Sequence, residues 1–551
     1  MNKTKKAVSL LVATALTGSI FAGCSNSKDG AAGATTSPSD GQATPKQNEE
    51  RVKLKMFYNI AGMPMPTNIN LSDNPVIKIV EDSANVDLEF DVPPYNEYVT
   101  KHNLLLASGQ LPDIVHSTVP DGAMAAARDG AFIDLKKYYD NSPALQKVIT
   151  PQMMELAKDP VSGKYFRIPM AYDKGPQGEG LMVRYDLVQK YNGGKYPASV
   201  EEWIELMRKV KKEDPSSIPM SFRVAGDNMF YYGGGVIFGM YGALPYGYRI
   251  DQGKIIPNVS TPEFKEAVKV LKGLYDEGIL DPEFAVTDSA KWFPKLSDKN
   301  VVMQWNSADQ ILNYQIQMTS EKATPAQRTQ VWSIAPPLTK YPDVLKDRKY
   351  AITGLGAPIT AHGLYISSKT KDPDRAFRVI EAFANEKLKD AIFWGNEGET
   401  YTVKDGKRAA NPAKMSAEDH IWKRQYAFVF GYTDGQDAQS ANYEAQLSKE
   451  VYTQLSNDVK TIGKAAGEIG LDKMPGYTDP EDVQKKNAEI MQAINKFTTE
   501  AIMGRITMEQ LDAEIGKWET KYRSFKYDPM QKFLDANKEQ LLKNGFKKAG
   551  W

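Results

Sequence analysis

The sequence predicts an α/β protein of two or more domains whose last third is mostly helical. Three observations carry that reading. At the start of the folded part, apolar and polar residues alternate as in half-buried strands, in Val52-Lys-Leu-Lys-Met56 and again in Val86-Asp-Leu-Glu-Phe-Asp-Val92. Helical stretches alternate with such strands, and strand and helix in quick succession build parallel sheets. From Ser416 onward the apolar residues recur at helical spacing, and 551 residues with 41% apolar side chains supply material for more than one core.

The chain opens on Lys3, Lys5 and Lys6, followed by a run without charge from Ala7 to Gly23. A secretory signal has this layout, and the run is shorter than the roughly 20 residues of a spanning helix. Phe21-Ala22-Gly23-Cys24 closes it with small residues before the only cysteine of the chain. No disulfide can form. A thiol in this place resembles a bacterial lipobox, which implies cleavage after residue 23 and acylation of Cys24. Residues 25–50 contain no Leu, Ile, Val or aromatic side chain, so they cannot build a core. Residues 24–50 therefore read as a disordered tether, with a span of about 25–30 Å for a flexible coil.

Residues 95–108 read as a helix, with Tyr98, Leu104, Leu105 and Leu106 available to a core and Gly109 as its stop. Leu111-Pro-Asp-Ile-Val115 leads into a short strand. Ser199 caps the next predicted helix, with Glu202 completing a capping box and Trp203, Leu206, Met207 and Val210 inward. Thr261 caps another, with Pro262 in its first turn. Its core face is Phe264, Ala267, Val268, Leu271 and Leu274, and Gly278 ends it. Residues 374–384 form a third. Thr478-Asp-Pro480 opens a long helix with Val483, Ile490, Met491, Ile494, Phe497 and Ile502 inward and Gly504 as its stop. Thr507 and Gln510 open the next, with Leu511, Ile515 and Trp518 on one face. Trp203 and Trp518 belong to the core. No repeat of solenoid length is present.

Lys+Arg and Asp+Glu both number 69, and no basic run argues for nucleic acid. Four histidines are few beside 28 tyrosines and 8 tryptophans, which weighs against His-rich metal sites and imidazole catalysis. The Gly-x-Ser-x-Gly, His-Glu-x-x-His and Walker A patterns are missing from the sequence. Gly233-Gly234-Gly235 lacks the spacing of a dinucleotide fingerprint and reads as a loop or hinge. With Cys24 committed to lipid, no thiol nucleophile remains. No cofactor is implied, and an enzyme is not the leading reading.

Six segments share a likeness. Leu106-Ala-Ser-Gly-Gln-Leu-Pro-Asp-Ile-Val115, Ser162-Gly-Lys-Tyr-Phe-Arg-Ile-Pro169 and Leu181-Met-Val-Arg-Tyr-Asp186 followed by Pro197-Ala-Ser-Val-Glu-Glu-Trp203 stand in the first half. Leu274-Tyr-Asp-Glu-Gly-Ile-Leu-Asp-Pro282, Phe393-Trp-Gly-Asn-Glu-Gly-Glu399 and Ala501-Ile-Met-Gly-Arg505 follow. In this order they resemble the bacterial extracellular solute-binding proteins of family 1, in the long oligosaccharide-binding branch of LipO-type lipoproteins.

The resemblance implies a type II periplasmic-binding-protein-like fold: two α/β lobes, hinge segments crossing between them, and a ligand in the cleft. Lobe 1 would take 51–171 and 356–395, and lobe 2 would take 172–355 and 396–551. It also implies an oligosaccharide ligand, an ABC permease as partner, a monomer, and a place on the outer face of the cell membrane through the lipid anchor. Alginate-binding relatives carry a calcium loop where this chain reads Lys212-Glu-Asp-Pro-Ser-Ser-Ile-Pro219. Glu213 and Asp214 are too few for an ion that takes six to eight oxygens, so no metal is expected there.

Sugars present apolar C–H faces and a rim of hydroxyls, which aromatic rings and polar side chains match. Residues at strand ends and crossings are the candidates. These are Tyr58 and Asn59 after the first strand, Tyr172 and Asp173 at the first crossing, and Tyr231 and Tyr232 beside the glycine run, with Tyr246 and Tyr248 further along. Trp305 and Asn306 follow the apolar Val301-Val-Met303, in the region where sugar-binding relatives place a stacking tryptophan. Trp394, Asn396 and Glu397 lie at the second return. A cleft dominated by charged pairs would favour a peptide or another non-sugar solute. Two carboxylates within about 5–10 Å across it would favour a polysaccharide-degrading enzyme.

Overall fold

A computed structural model describes residues 50–59, 66–94, 97–159, 161–171, 178–224, 229–318, 324–345, 358–430 and 436–469, and most residues from 474 to 546. Cys24, the signal segment, most of the tether, Tyr172 and Asp173 lie outside the described residues.

The first sheet has five strands in the order Val86–Asp91, Val52–Phe57, Ile114–Ser117, Ile359–Ile366 and Ile168–Ala171. The first three are parallel, as the strand–helix alternation predicts. Val52, Leu54 and Met56 stand opposite Val86, Leu88 and Phe90, so the apolar sets of the two strands share a face. The strand Ile359–Ile366 is antiparallel to both neighbours. It enters from a distant part of the chain, so no short βαβ crossover fixes its direction. Helix Pro75–Ala84 covers one face; Asn74 caps it by accepting from the N–H groups of Val76 and Ile77. Helix Tyr98–Ser108 stops at Gly109, whose φ is +63°. Its buried residues are Tyr98 and His102, and Leu104 is 64% exposed. Three consecutive leucines cannot share a stripe that recurs at i and i+4.

The second sheet has three antiparallel strands in the order Met303–Ser307, Glu179–Arg184 and Trp332–Ile334. Val301 and Val302 are buried but precede the strand, and Trp305 sits in its middle rather than beyond its end. Helix Val200–Glu213 is capped by Ser199 and buries Trp203, Leu206, Met207 and Val210. The Glu202 carboxylate accepts from the N–H of Ala198, one residue before the cap. Thr261 caps helix Pro262–Asp276, and all five predicted core residues are buried. Helices Glu481–Ile502 and Met508–Trp518 pack onto this body, and Ile490, Phe497, Leu511 and Trp518 join its core.

Two further features differ from the sequence reading. Gly233-Gly234-Gly235 is no loop: it lies in helix Tyr232–Met240. A Cβ on Gly233 would stand 2.0 Å from the carbonyl oxygen of Ser221, so the glycine permits the close passage of two backbones. Met415, Trp422 and Tyr426–Phe430 pack into the core under the five-stranded sheet, whereas the sequence reading gave 396–551 to the other lobe. Tyr58 draws them there: its ring lies 4.5 Å from Phe428 and its hydroxyl donates to the carbonyl of Gln425.

Candidate functional site

Strand Ile168–Ala171 closes the first sheet and strand Glu179–Arg184 opens the second, so Glu179 is the first strand residue after the passage between the two sheets. Register brings it opposite Ser307 and sets Trp305 opposite Leu181. The indole Nε1–H of Trp305 donates to Oε2 of Glu179 at 2.7 Å, and the hydroxyl of Tyr231 donates to the other oxygen. The carboxylate is thus held by two donors from two elements.

Tyr231 leads into helix Tyr232–Met240, and the two tyrosine rings meet edge to face at 5.0 Å. The guanidinium carbon of Arg223 lies over Tyr232, 3.4 Å from the ring centre, with Trp292 at 5.7 Å and Phe293 at 5.8 Å. Phe293 is 40% exposed and stacks on Tyr314 at 6.3 Å. Nδ2 of Asn306 donates to the Tyr314 hydroxyl at 3.1 Å. Ser307 Oγ and Gln310 Nε2 donate to the two oxygens of Asp309. Burial raises the Asp309 carboxyl above the usual carboxylate range, against the pull of those donors. Burial likewise raises the Tyr314 hydroxyl, while the positive charge of Arg223 pulls it down.

The structure therefore brings four predicted residues to one wall: Tyr231, Tyr232, Trp305 and Asn306. Their roles differ. Tyr231, Tyr232 and Asn306 are half-buried, but Trp305 is only 5% exposed and belongs to the second core. An indole packed on its faces supports Glu179 and has little ring left for a sugar. Tyr58 and Asn59 are buried in the first lobe, and the Tyr58 ring stacks on His116 at 5.3 Å. Both are interior residues because the first strand runs under a cover of Phe90, His116 and Phe428. Trp394 packs on Tyr401 at 5.3 Å beneath the Arg408 guanidinium, at the hairpin formed by Tyr401–Lys404 and Lys407–Ala410. Asn396 donates to Glu399 and Glu397 is exposed; no described contact joins them to Glu179 or Arg223. The Tyr246 hydroxyl donates to Asn495, and Tyr248 is 8% exposed in a short hairpin.

Sequence reasoning noted Ser307 and Asp309 only as hydrogen-bonding groups beyond Trp305, and it missed Glu179, Arg223, Phe293 and Tyr314. Glu179 and Arg223 adjoin the crossing and the glycine run, which was the available signal. Phe293 and Tyr314 lie in helices Ser289–Asp298 and Gln310–Gln317, where no sequence motif marks them. Among the described residues, no group of three or more His, Cys, Asp or Glu side chains could hold a metal. Asp214 accepts from the N–H of Ser216 at 3.0 Å and from Asn300 Nδ2 at 3.1 Å, and Glu213 pairs with Lys190. No helix among the described residues is long and apolar enough to cross a membrane.

Comparison with known proteins places this geometry in context. The model of the bacterial extracellular solute-binding protein family matches residues 76–400, more than half of the chain. The polygalacturonan/rhamnogalacturonan-binding protein YtcQ of Bacillus subtilis (strain 168) is 24% identical over 93% of this chain and 95% of its own length. Lipoprotein LipO of the same organism is 23% identical over 77% and 88%. Among solved structures, the S. pneumoniae ABC-transporter substrate-binding protein FusA in complex with kestose superposes with a TM-score of 0.65 at 17% identity. That alignment covers 89% of this chain and all of FusA, and the fold it shares is a two-lobed one.

Proposed function

We propose that this chain, which belongs to the bacterial extracellular solute-binding proteins, captures an oligosaccharide between its two lobes and delivers it to an ABC permease. Its family and neighbours are substrate-binding proteins of ABC transporters, not enzymes, so the activity is capture. One observation carries the choice of ligand. Partly exposed rings of Tyr231, Tyr232 and Phe293 share a wall with Asn306, Ser307, Glu179 and Asp309, beside the passage between the sheets. Flat rings suit the C–H faces of a sugar, and the amide, hydroxyl and carboxylates suit its hydroxyls. YtcQ and FusA are both named for carbohydrate ligands, which supports the same reading.

Cys24 would be acylated and hold the protein at the outer face of the membrane, and the protein would act as a monomer. A thermal-shift screen against oligosaccharides tests capture, because a ligand selective for the folded state raises the melting temperature by mass action. No shift with any oligosaccharide, beside a shift with peptides, would overturn the reading. Cys24→Ser should release the protein from the membrane fraction; retention at uncleaved size would disprove lipidation.

A further inference from the structure

We propose that the oligosaccharide is acidic, and that two arginines, Arg223 from the second lobe and Arg424 from the first, receive its carboxylates. The inference rests on the oligosaccharide reading above and adds its charge. Neither guanidinium makes a hydrogen bond or an ion pair among the described residues, and the Nε of each is buried without a partner. Arg167 and Arg249 also leave Nε unpaired, but among the described residues their terminal nitrogens have acceptors, as do those of Arg128 and Arg184: Arg128 has Asp159, Arg184 has Asp186, Arg249 has Glu263, and Arg167 has the carbonyls of Thr360 and Ala361.

The Arg223 guanidinium sits over Tyr232 with Trp292 and Phe293 close by. Stacking occupies its faces and leaves its outer edge, where the paired N–H donors are. Arg424 is carried by the short helix Trp422–Tyr426, whose Trp422 and Tyr426 anchor in the first core. Tyr443, whose hydroxyl feels the charges of both Arg424 and Asp309, lies in helix Gln436–Gln446, and that helix packs against helix Gln310–Gln317. Arg223 borders the stretch Asn306–Tyr314 through Phe293 and Tyr314, and Arg424 would reach it from the side of helix Gln436–Gln446.

Withdrawing a charge from water is costly unless a counter-charge replaces the water. Burial already lowers the affinity of Arg424 for its proton. Closing the lobes on a neutral sugar would strip further water from both guanidiniums and give nothing back. A uronic acid supplies what is missing, because the planar fork of a guanidinium matches a carboxylate with two parallel hydrogen bonds. Glu179 does not fill that role: its oxygens accept from Trp305 and Tyr231.

The test is calorimetric titration of the intact protein with galacturonate, glucuronate and mannuronate trimers, each beside its carboxyl-reduced neutral counterpart. At least one uronate trimer should bind, and its neutral counterpart should bind at least about 30-fold more weakly, the scale of a lost buried charge pair. Arg223→Gln and Arg424→Met should each lose that preference, with melting temperatures showing that they fold. A second readout separates ligand recognition from a structural role: removing an uncompensated buried cation should leave the ligand-free melting temperature of Arg424→Met unchanged or higher. Equal binding of a neutral and an acidic trimer, or variants that keep the preference, would overturn the inference while leaving oligosaccharide capture intact. Failure of every trimer beside a thermal shift with another oligosaccharide would overturn the inference alone, and failure with every oligosaccharide would overturn both.

Discussion

Trp305 and Glu179 are diagonal neighbours across two antiparallel strands, and the indole Nε1–H of Trp305 donates to the carboxylate at 2.7 Å. The ring is part of the second core, and its one polar atom is taken up by Glu179. Trp305→Ala should therefore cost about 3–5 kcal/mol of stability, as other emptied aromatic core sites do. Trp305→Phe should cost less, because it keeps most of the packing and removes only the donor. Denaturant unfolding checks both; a Trp305→Ala variant as stable as the parent would return the ring to the ligand.

Gly233→Ala should be among the most damaging single-methyl additions in the second lobe. The new Cβ would stand 2.0 Å from the carbonyl oxygen of Ser221, which is backbone and cannot swing away. The gain in helix propensity, about 1 kcal/mol, is small beside that clash. Gly463→Ala, in a helix with nothing within 4 Å of the added carbon, should be neutral or stabilising. Thermal melts of the pair measure the contrast, and equal behaviour would show that helix Tyr232–Met240 can shift.

Stability should fall with acid because of a buried histidine pair. Nδ1 of His362 lies 3.2 Å from Nε2 of His116 beneath Tyr58. Burial holds His116 well below the ordinary 6.5, with His362 and His102 adding repulsion. Burial and the charge of Arg167 push His362 down to about 4. Depressed values mean that the folded state binds fewer protons than the unfolded chain. The contribution is therefore whole at and above about pH 6.5 and is lost as pH falls toward 4, by at most about 1.4 kcal/mol per pH unit for each histidine. His362→Gln should make the fall in melting temperature between pH 6.5 and 4 shallower, with His116, His102 and His420, also depressed by burial, keeping the rest, and an unchanged slope would assign the acid sensitivity elsewhere.

Chelation should leave melting and binding unchanged. The Asp214 carboxylate, where alginate-binding relatives would place calcium, already accepts from Ser216 and Asn300, and Glu213 pairs with Lys190. A melting temperature that drops with EDTA and recovers with calcium would refute this.

The sequence by itself determined the elements whose signals are local. Ser199, Thr261 and Thr507 cap the helices they announce, Gly109, Gly278 and Gly504 stop theirs with positive φ, and Trp203 and Trp518 are buried. Capping bonds and apolar stripes join residues three or four positions apart, so neighbours in the chain decide them. Tertiary structure decided which strand ends face the cleft and which rings are free. Tyr58 follows a strand and so looked available, yet Gln425 and Phe428, far along the chain, cover it. Trp305 looked like the end of a strand, but the strand begins at Met303 and runs past it, and Glu179 claims its nitrogen. Arg223 and Phe293 drew no notice as single residues. They meet because chain segments some seventy positions apart fold against one another, and whether a polar group has a partner depends on such distant pairings.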